Sequence, residues 1–393
     1  MHQITRRAAL TLVAAVAFLP RATGAVLAPS LGDKRFVLVI LRGGLDGLAA
    51  IPPYGDRDYR RTRGTLALAR PGEPRGVVDL DGFFGLHPAL SPLYEFYAKG
   101  ELLLLPATAT GCRVRSHAVG QRVLESGTTQ LTGAVDGWLG RALCMTQVDG
   151  RPIALAACRE VPMLLRPISV LHKAPRAVVG FDSAALDLMA DLSYGNSNFA
   201  KVLATAGRGV TAFDALSDHA AAFRQTAEDV GHLLASDEGP RVAVLESHGW
   251  DTHSDQGRSD GRLAIAFAGL ASGLVALATS CGEAWQRTVV LVATEFGRTV
   301  TANATDGTDH GAASTAFLLG GAVDGGRVLG KWPGLSADRL YRGSDLMPTG
   351  DLRSIAKAVL MEHLGLSRVA LDESVFPDSA AIEPQLGLLR TKI

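Results

Sequence analysis

Four continuous runs of apolar and β-branched residues constrain the fold of this chain more than any other feature. They are residues 36–41, 102–105, 242–245 and 288–293. A strand that is covered on both faces lacks the alternation of a half-exposed strand, so such runs predict buried strands. Helical periodicity follows the third run, at residues 262–277. The sequence therefore predicts an α/β fold whose doubly wound, mostly parallel sheet is flanked by helices.

Polar loops that contain acids and histidines follow these runs. The residues are Asp46, Ser116, His117, Asp251, His253 and Glu295, and a fifth loop adds Asp309 and His310. Because sites in open α/β sheets form at the carboxyl ends of the strands, we expect these side chains to meet. Each has a simpler interpretation: Asp46 and Ser116 suit turn or helix caps, and His117 suits packing.

The residue types in these loops are typical of a metal site. Carboxylates with imidazoles suit zinc or manganese, whereas an all-oxygen subset suits calcium or magnesium. One or two such ions would activate a nucleophile and stabilise a leaving oxygen of a phosphoryl or sulfuryl group. Ser116 precedes a predicted helix, whose amino end favours anions, and Arg115 lies beside it.

Other function classes lack support in the sequence. The formal net charge is +0, so no nucleic-acid partner is expected. The turn at Gly43 and Gly44 lacks the G-x-G-x-x-G spacing of a dinucleotide site, and Ser116 lacks a G-x-S-x-G elbow. The four cysteines are scattered without a C-x-x-C pair, which disfavours a thiolate zinc site and leaves disulfide pairing open.

The amino terminus predicts export. Arg6 and Arg7 precede an apolar run, 8–19, and a small-residue stretch, 22–25. This is the layout of a signal peptide with a twin-arginine region, over residues 1–25, and a membrane-surface helix is the alternative. We expect the twin-arginine machinery to deliver the protein to the periplasm or outside the cell. Residues 26–393 are predicted to form a single domain with insertions near 52–85 and 150–210.

Several short motifs together resemble a known family. They are Leu41-Arg42-Gly43-Gly44-Leu45-Asp46-Gly47, Gly85-Leu86-His87-Pro88, Arg115-Ser116-His117, Asp136-Gly137-Trp138-Leu139, Gly249-Trp250-Asp251-Thr252-His253, Thr294-Glu295-Phe296-Gly297-Arg298 and Thr308-Asp309-His310-Gly311. With the leader they resemble the exported bacterial family called domain of unknown function 1501. That pattern is similar in turn to the alkaline phosphatase and sulfatase superfamily, which implies an alkaline-phosphatase-like fold.

The resemblance implies roles for individual residues. Asp46 would be the metal aspartate of the first strand, and Ser116 would lie in the nucleophile region. Asp251 and His253 would bind one metal, which His310 completes. Glu295 would take the place of the acid in the superfamily's strand-ending pair. From the loops themselves we also expect His117 and Asp309 as metal ligands, and Arg115 or Arg298 as an oxyanion partner. Phe296 departs from the superfamily pattern, because it stands where a second ligand is usual, so one metal position is depleted unless His117 substitutes.

The sequence thus favours an exported, metal-dependent hydrolase of phosphate or sulfate esters, acting on a small-molecule or polysaccharide substrate. A second hypothesis is a non-catalytic exported binding or scaffold protein with a degenerate metal site, and Phe296 favours it. A redox metalloprotein ranks third. The carboxyl-terminal segment, 370–393, is predicted to be a surface arm.

Overall fold

A computed structural model describes residues 29–129, 133–147, 153–175 and 212–391. The predicted leader lies outside the described residues, as does most of the predicted insertion at 150–210. Within the described part, nine strands form one sheet. In chain order they are β1 (Arg35–Leu41), β2 (Leu102–Ala109), β3 (Ala154–Ala157), β4 (Leu171–His172), β5 (Val242–Ser247), β6 (Thr288–Thr294), β7 (Ser314–Leu319), β8 (Arg327–Val328) and β9 (Gly350–Asp351).

The sheet is mostly parallel, which confirms the predicted fold class. Its order is β8-β2-β7-β6-β1-β5-β3-β4, and β9 also pairs with β2. β1 is parallel to both β5 and β6, whereas β7 is antiparallel to both β6 and β2. β2 therefore runs in the same direction as β1, although β6 and β7 separate the two strands.

Helices cover both faces of the sheet. The longer ones are α1 (His117–Ser126), α2 (Trp138–Cys144), α3 (Ala212–Ala235), α4 (Arg262–Cys281) and α5 (Leu352–Glu362). Alternate residues of β1 enter two separate cores: Leu38 and Ile40 join the core on the side of α2 and α5, and Val37 and Val39 join the core beneath α4. This two-sided burial explains why the strand sequences are continuously apolar.

Helix α4 has the length and composition of a membrane span. The most apolar 18-residue window of the segment Arg262–Arg287 has a mean hydropathy of 1.9, and 67% of that window is buried inside the protein. Gly269 of α4 lies against Ala220 of α3, and Gly273 lies against the ring of Phe223. These close contacts identify α4 as a core helix of the fold.

The prediction of a carboxyl-terminal surface arm is wrong. Leu371, Phe376 and Leu388 are buried in the core that contains α5. Lys357 of α5 is also buried, and its Nζ donates to Asp372 Oδ1 and to the carbonyl of Ser379, at 2.5 and 2.7 Å. The segment lacks a long apolar run because single apolar side chains, spaced along an irregular path, are enough to cover α5.

The predicted insertion near 52–85 is folded against the sheet edge. It contains a short helix, Tyr59–Arg63, and a two-stranded pair, Val78–Asp79 with Gly85–Leu86. Further short helices are Gly47–Ala50, Tyr94–Ala98 and Arg368–Ala370, and the small antiparallel pair Gly297–Arg298 with His310–Gly311 follows β6. This last pair contributes Arg298 and His310 to the site described next.

Candidate metal centre

Four segments meet at the carboxyl edge of the sheet. The loop after β5 carries Asp251 and His253, β6 is followed by Glu295, and the connection from β2 leads to His117 at the start of α1. β7 is antiparallel, so it begins at this edge, and His310 lies four residues before its first residue. An antiparallel strand thus brings the fourth of these segments to the edge where the parallel strands end.

Three of the predicted ligands converge on one point. His253 Nε2 lies 3.0 Å from His310 Nε2 and 3.1 Å from Asp251 Oδ1. His310 Nε2 lies 3.3 Å from the same carboxylate oxygen. Ligands about 2.0–2.1 Å from a tetrahedral zinc ion lie about 3.3 Å from one another, so these three separations suit a bound cation.

His117 extends this cluster. One ligand atom each from His117, Asp251 and His310 lie within 4.8 Å of one another. His117 Nε2 is 3.5 Å from Asp251 Oδ2, and both atoms are buried without a hydrogen-bond partner. Buried polar atoms are nearly always satisfied, so these two atoms fit a site for a cation that both could bind. The donor set of three imidazoles and one carboxylate fits a divalent transition metal.

The carboxylates dominate the electrostatics of the cluster. Burial opposes the charged form of His117, but Asp251 and Glu295 outweigh it and raise the pKa of His117 to about 10. Burial likewise opposes ionisation of Asp251, yet Arg298 and the neighbouring histidines hold the pKa of its carboxyl well below the usual range. For His310, burial lowers the pKa.

Glu295 lies behind His117. Its Oε1 accepts from the backbone N–H of Gly43 at 2.8 Å and lies 3.1 Å from His117 Nδ1. Its Oε2 accepts from the hydroxyl of Thr294 at 3.0 Å. Burial would raise the pKa of Glu295, but His117 and Gly43 hold it below its ordinary value. The structure therefore places Glu295 where it orients the imidazole of His117.

Arg298 is fully buried beside Asp251. Its Nε donates to the carbonyl of Gly44 at 2.9 Å, and its NH1 donates to the carbonyl of Thr308 at 3.0 Å. Its NH2 contacts Asp251 Oδ1 and the carbonyl of Trp250. Every nitrogen of this guanidinium is engaged, which leaves it poorly placed for the predicted contact with a substrate oxyanion.

Asp46 does not join the cluster. Its Oδ1 accepts from the N–H of Ala49 at 3.1 Å and so caps a short helix. Its Oδ2 accepts from Arg63 at 2.6 Å and from Gln256 at 2.7 Å. The metal role predicted for Asp46 is replaced in this structure by a buried ion pair, because the insertion near 52–85 supplies Arg63 as its partner.

Ser116 lies at the amino end of α1, directly before His117. Its backbone is extended and its hydroxyl makes no capping hydrogen bond to the helix. Arg115 points away, since its NH2 donates to Asp345 Oδ1 at 2.7 Å and to Ser344 Oγ at 3.0 Å. The carbonyl of Arg115 faces the cluster, at 3.4 Å from His310 Nδ1.

Phe296 forms one wall of the cluster. The centre of its ring lies 4.6 Å from that of His310 and 5.0 Å from that of His117. A Cβ on Gly44 would lie 2.7 Å from this ring, so the glycine turn after β1 makes room for it. Phe296 fills apolar space next to the imidazoles and supplies no ligand atom of its own.

Three residues near the cluster were not predicted. Asn303 donates to Asp309, which lies behind His253, and Gln256 links Asp46 to Thr252 and Thr308. Arg262 begins α4, and its Nε is buried without a hydrogen-bond partner. Of these three residues, only Arg262 had a structural position that the sequence indicated, because it begins the segment with helical periodicity.

Residues 200–365 match a family model described as "Protein of unknown function (DUF1501)". The resemblance to DUF1501 is confirmed. The matched segment contains Asp251, His253, Glu295 and His310, whereas Asp46 and His117 lie outside it. A comparison with curated protein sequences gives no match.

Several solved structures are similar to this chain. A 2-O GAG sulfatase is 12% identical, with a TM-score of 0.43, over 90% of this chain and 75% of that one. The lipoteichoic acid synthase LtaP from Listeria monocytogenes is 11% identical, with a TM-score of 0.40, over 90% and 77%. A protein in the alkaline phosphatase superfamily from Vibrio parahaemolyticus is 9% identical, with a TM-score of 0.35, over 75% and 62%.

Proposed function

We propose that this protein is an exported hydrolase of phosphate or sulfate esters that depends on a divalent metal ion. The observation that carries the proposal is the convergence of Asp251, His253 and His310 within 3.0–3.3 Å of one another, next to the unsatisfied Nε2 of His117. These four residues would hold the ion. When bound, it would supply a Lewis acid that polarises a phosphoryl or sulfuryl oxygen.

Ser116 is the proposed nucleophile. Its Oγ bonds to phosphorus or sulfur, the ester oxygen departs, and the proton of the hydroxyl ends on the departing alcohol. Water then cleaves the serine ester and releases phosphate or sulfate. The support is its place beside His117 at the amino end of a ten-residue helix, where the helix dipole stabilises negative charge. Arg298 orients Asp251, and Glu295 orients His117.

Arg262 is the proposed oxyanion partner, in place of Arg115 and Arg298. Both of those guanidinium groups are engaged by protein acceptors, whereas the Nε of Arg262 has none. Burial lowers the pKa of Arg262, and the charges of Asp251 and Asp255 oppose this shift. An arginine fork suits the paired oxygens of a phosphate or sulfate group.

The test is hydrolysis of aryl phosphates and aryl sulfates by the purified protein, with metal content measured on the same samples. We expect one ion per chain and turnover in the wild type. Asp251→Asn should lose both the bound ion and the turnover. Ser116→Ala should keep the ion, and its turnover should fall by at least about 100-fold. Asp260→Asn, an exposed neighbour, is the matched control. Full activity in Asp251→Asn contradicts the proposal.

A non-catalytic binding protein is the second candidate, and Phe296 favours it. The ring of Phe296 lies against both His117 and His310, where the superfamily pattern has a second ligand. A single ion without a partner ion would suit a structural or binding role. Metal content without turnover on either class of aryl ester would select this candidate.

A further inference from the structure

Asp309 lies on the far side of His253 from the metal cluster. Its Oδ1 is 3.2 Å from His253 Nδ1. The side-chain amide of Asn303 donates to the same oxygen at 2.9 Å and to the carbonyl of His253 at 2.8 Å. The backbone N–H of Asp309 donates to Thr299 Oγ1 at 3.1 Å. Asn303 and Thr299 therefore hold Asp309 in the position from which its carboxylate contacts the imidazole of His253.

Both ring nitrogens of His253 face a carboxylate, since Nδ1 lies 3.2 Å from Asp309 and Nε2 lies 3.1 Å from Asp251. A carboxylate only accepts hydrogen bonds, so the two compete for the single N–H of the neutral ring. Asp309 favours the proton on Nδ1, and in that tautomer Nε2 presents its lone pair to Asp251 and His310. The carbonyl of Arg115 acts in the same way on His310, since it lies 3.4 Å from Nδ1 of that ring.

With the proton on Nδ1 of both rings, three lone pairs face one point. They belong to His253 Nε2, His310 Nε2 and Asp251 Oδ1, which are 3.0–3.3 Å apart. Acceptors at such distances repel one another unless a cation or a proton lies between them. Histidines that bind metals commonly donate their other ring N–H to a carboxylate or a backbone carbonyl, which fixes the ring and the tautomer.

We propose that Asp309 is a positioning residue for His253, held by Asn303, and that it does not itself bind the metal. The inference rests on the proposed metal site, and it revises the ligand role that the sequence pattern implied for Asp309. Its Oδ1 is already shared between Asn303 and His253, and the whole imidazole ring separates it from the point where the lone pairs meet.

Two measurements test this role. Long-range ¹H–¹⁵N NMR of the metal-free wild type should show His253 protonated at Nδ1, and Asp309→Ala should shift it toward the Nε2-protonated form. Titration with Zn²⁺ should show one ion per chain in Asp309→Ala, bound about 10- to 100-fold more weakly than in the wild type. Asp309→Asn keeps an acceptor oxygen and should restore part of the affinity.

The exposed Asp306 of the same loop supplies the matched control, and Asp306→Asn should bind Zn²⁺ like the wild type. Unchanged affinity and tautomer in Asp309→Ala would overturn the inference. So would complete loss of the ion, equal to that in Asp251→Ala, because Asp309 would then be a ligand. If the wild type binds no Zn²⁺, the proposed function fails, and the NMR tautomer of His253 still decides the inference.

Discussion

The roles of three arginines, Arg115, Arg298 and Arg262, depend on which acceptors surround each side chain. Arg115 is committed to Asp345, and Arg298 is committed to Asp251 and backbone carbonyls. Arg262 keeps a buried Nε without a partner. The sequence pattern identified the first two as oxyanion partners, because motif positions do not reveal which acceptors surround a side chain. The same limit applies to Asp46, whose partner Arg63 lies in an insertion.

Replacement of Arg262 tests the oxyanion assignment. A hydrogen bond to a charged group contributes about 1.5–3 kcal/mol, so Arg262→Gln should weaken inhibition by inorganic phosphate about 10- to 100-fold. Metal content should not change, because Arg262 is not among the ligands. Arg258→Gln, an exposed arginine four residues earlier, is the control. Equal inhibition of Arg262→Gln and the wild type would remove Arg262 from the site.

His87 predicts a dependence of stability on pH. It is buried, with Nε2 2.8 Å from the carbonyl of Arg258 and Nδ1 accepting from the N–H of Ala89. Burial lowers the pKa of His87 to about 4. The unfolded chain therefore binds a proton more readily than the folded one, so stability is complete above about pH 6.5 and declines toward pH 4.

The expected loss from His87 over that range is about 3 kcal/mol in the free energy of unfolding. Urea unfolding of the wild type and of His87→Gln at pH 7.5 and pH 4.5 measures it. The variant cannot take up this proton, so its stability should depend less on pH. The same pH dependence in both proteins would show that His87 is not the responsible group.

At the scale of elements, the sequence predicted four strands of the sheet, β1, β2, β5 and β6. A strand that is buried on both faces has a continuous apolar sequence, which is easily recognised. The order of the strands could not be predicted, since register and neighbours depend on contacts between distant parts of the chain. The antiparallel β7 is the clearest case. Its sequence gives no direction, yet its direction decides that His310 reaches the same edge as Asp251.

The contact between α3 and α4 depends on small residues. A Cβ on Gly269 would lie 2.5 Å from Ala220 Cβ and 2.9 Å from its Cα, closer than side-chain contacts allow. Alanine favours helices by about 1 kcal/mol over glycine, but overpacking costs about 1–3 kcal/mol. We expect Gly269→Ala to lower the melting temperature, while Thr279→Ala on the exposed face of α4 changes it little. A higher melting temperature of Gly269→Ala would contradict this packing.

At the scale of the whole molecule, the carboxyl-terminal segment closes one core. Phe376 is buried and its ring stacks on Trp138, with ring centres 5.4 Å apart. Phe376→Ala should therefore reduce the free energy of unfolding by about 3–5 kcal/mol, measured by urea denaturation. A surface arm would predict a change within about 0.5 kcal/mol, and that result would contradict the described burial.

The cation site is the claim on which the proposed chemistry depends, and a crystal structure of the protein grown with Zn²⁺ tests it most directly. Anomalous diffraction at the zinc edge should give one strong peak bounded by His253 Nε2, His310 Nε2 and Asp251, at about 2.0–2.2 Å from each. The absence of a peak among these atoms, in crystals whose density shows the three side chains in the described positions, would contradict the account.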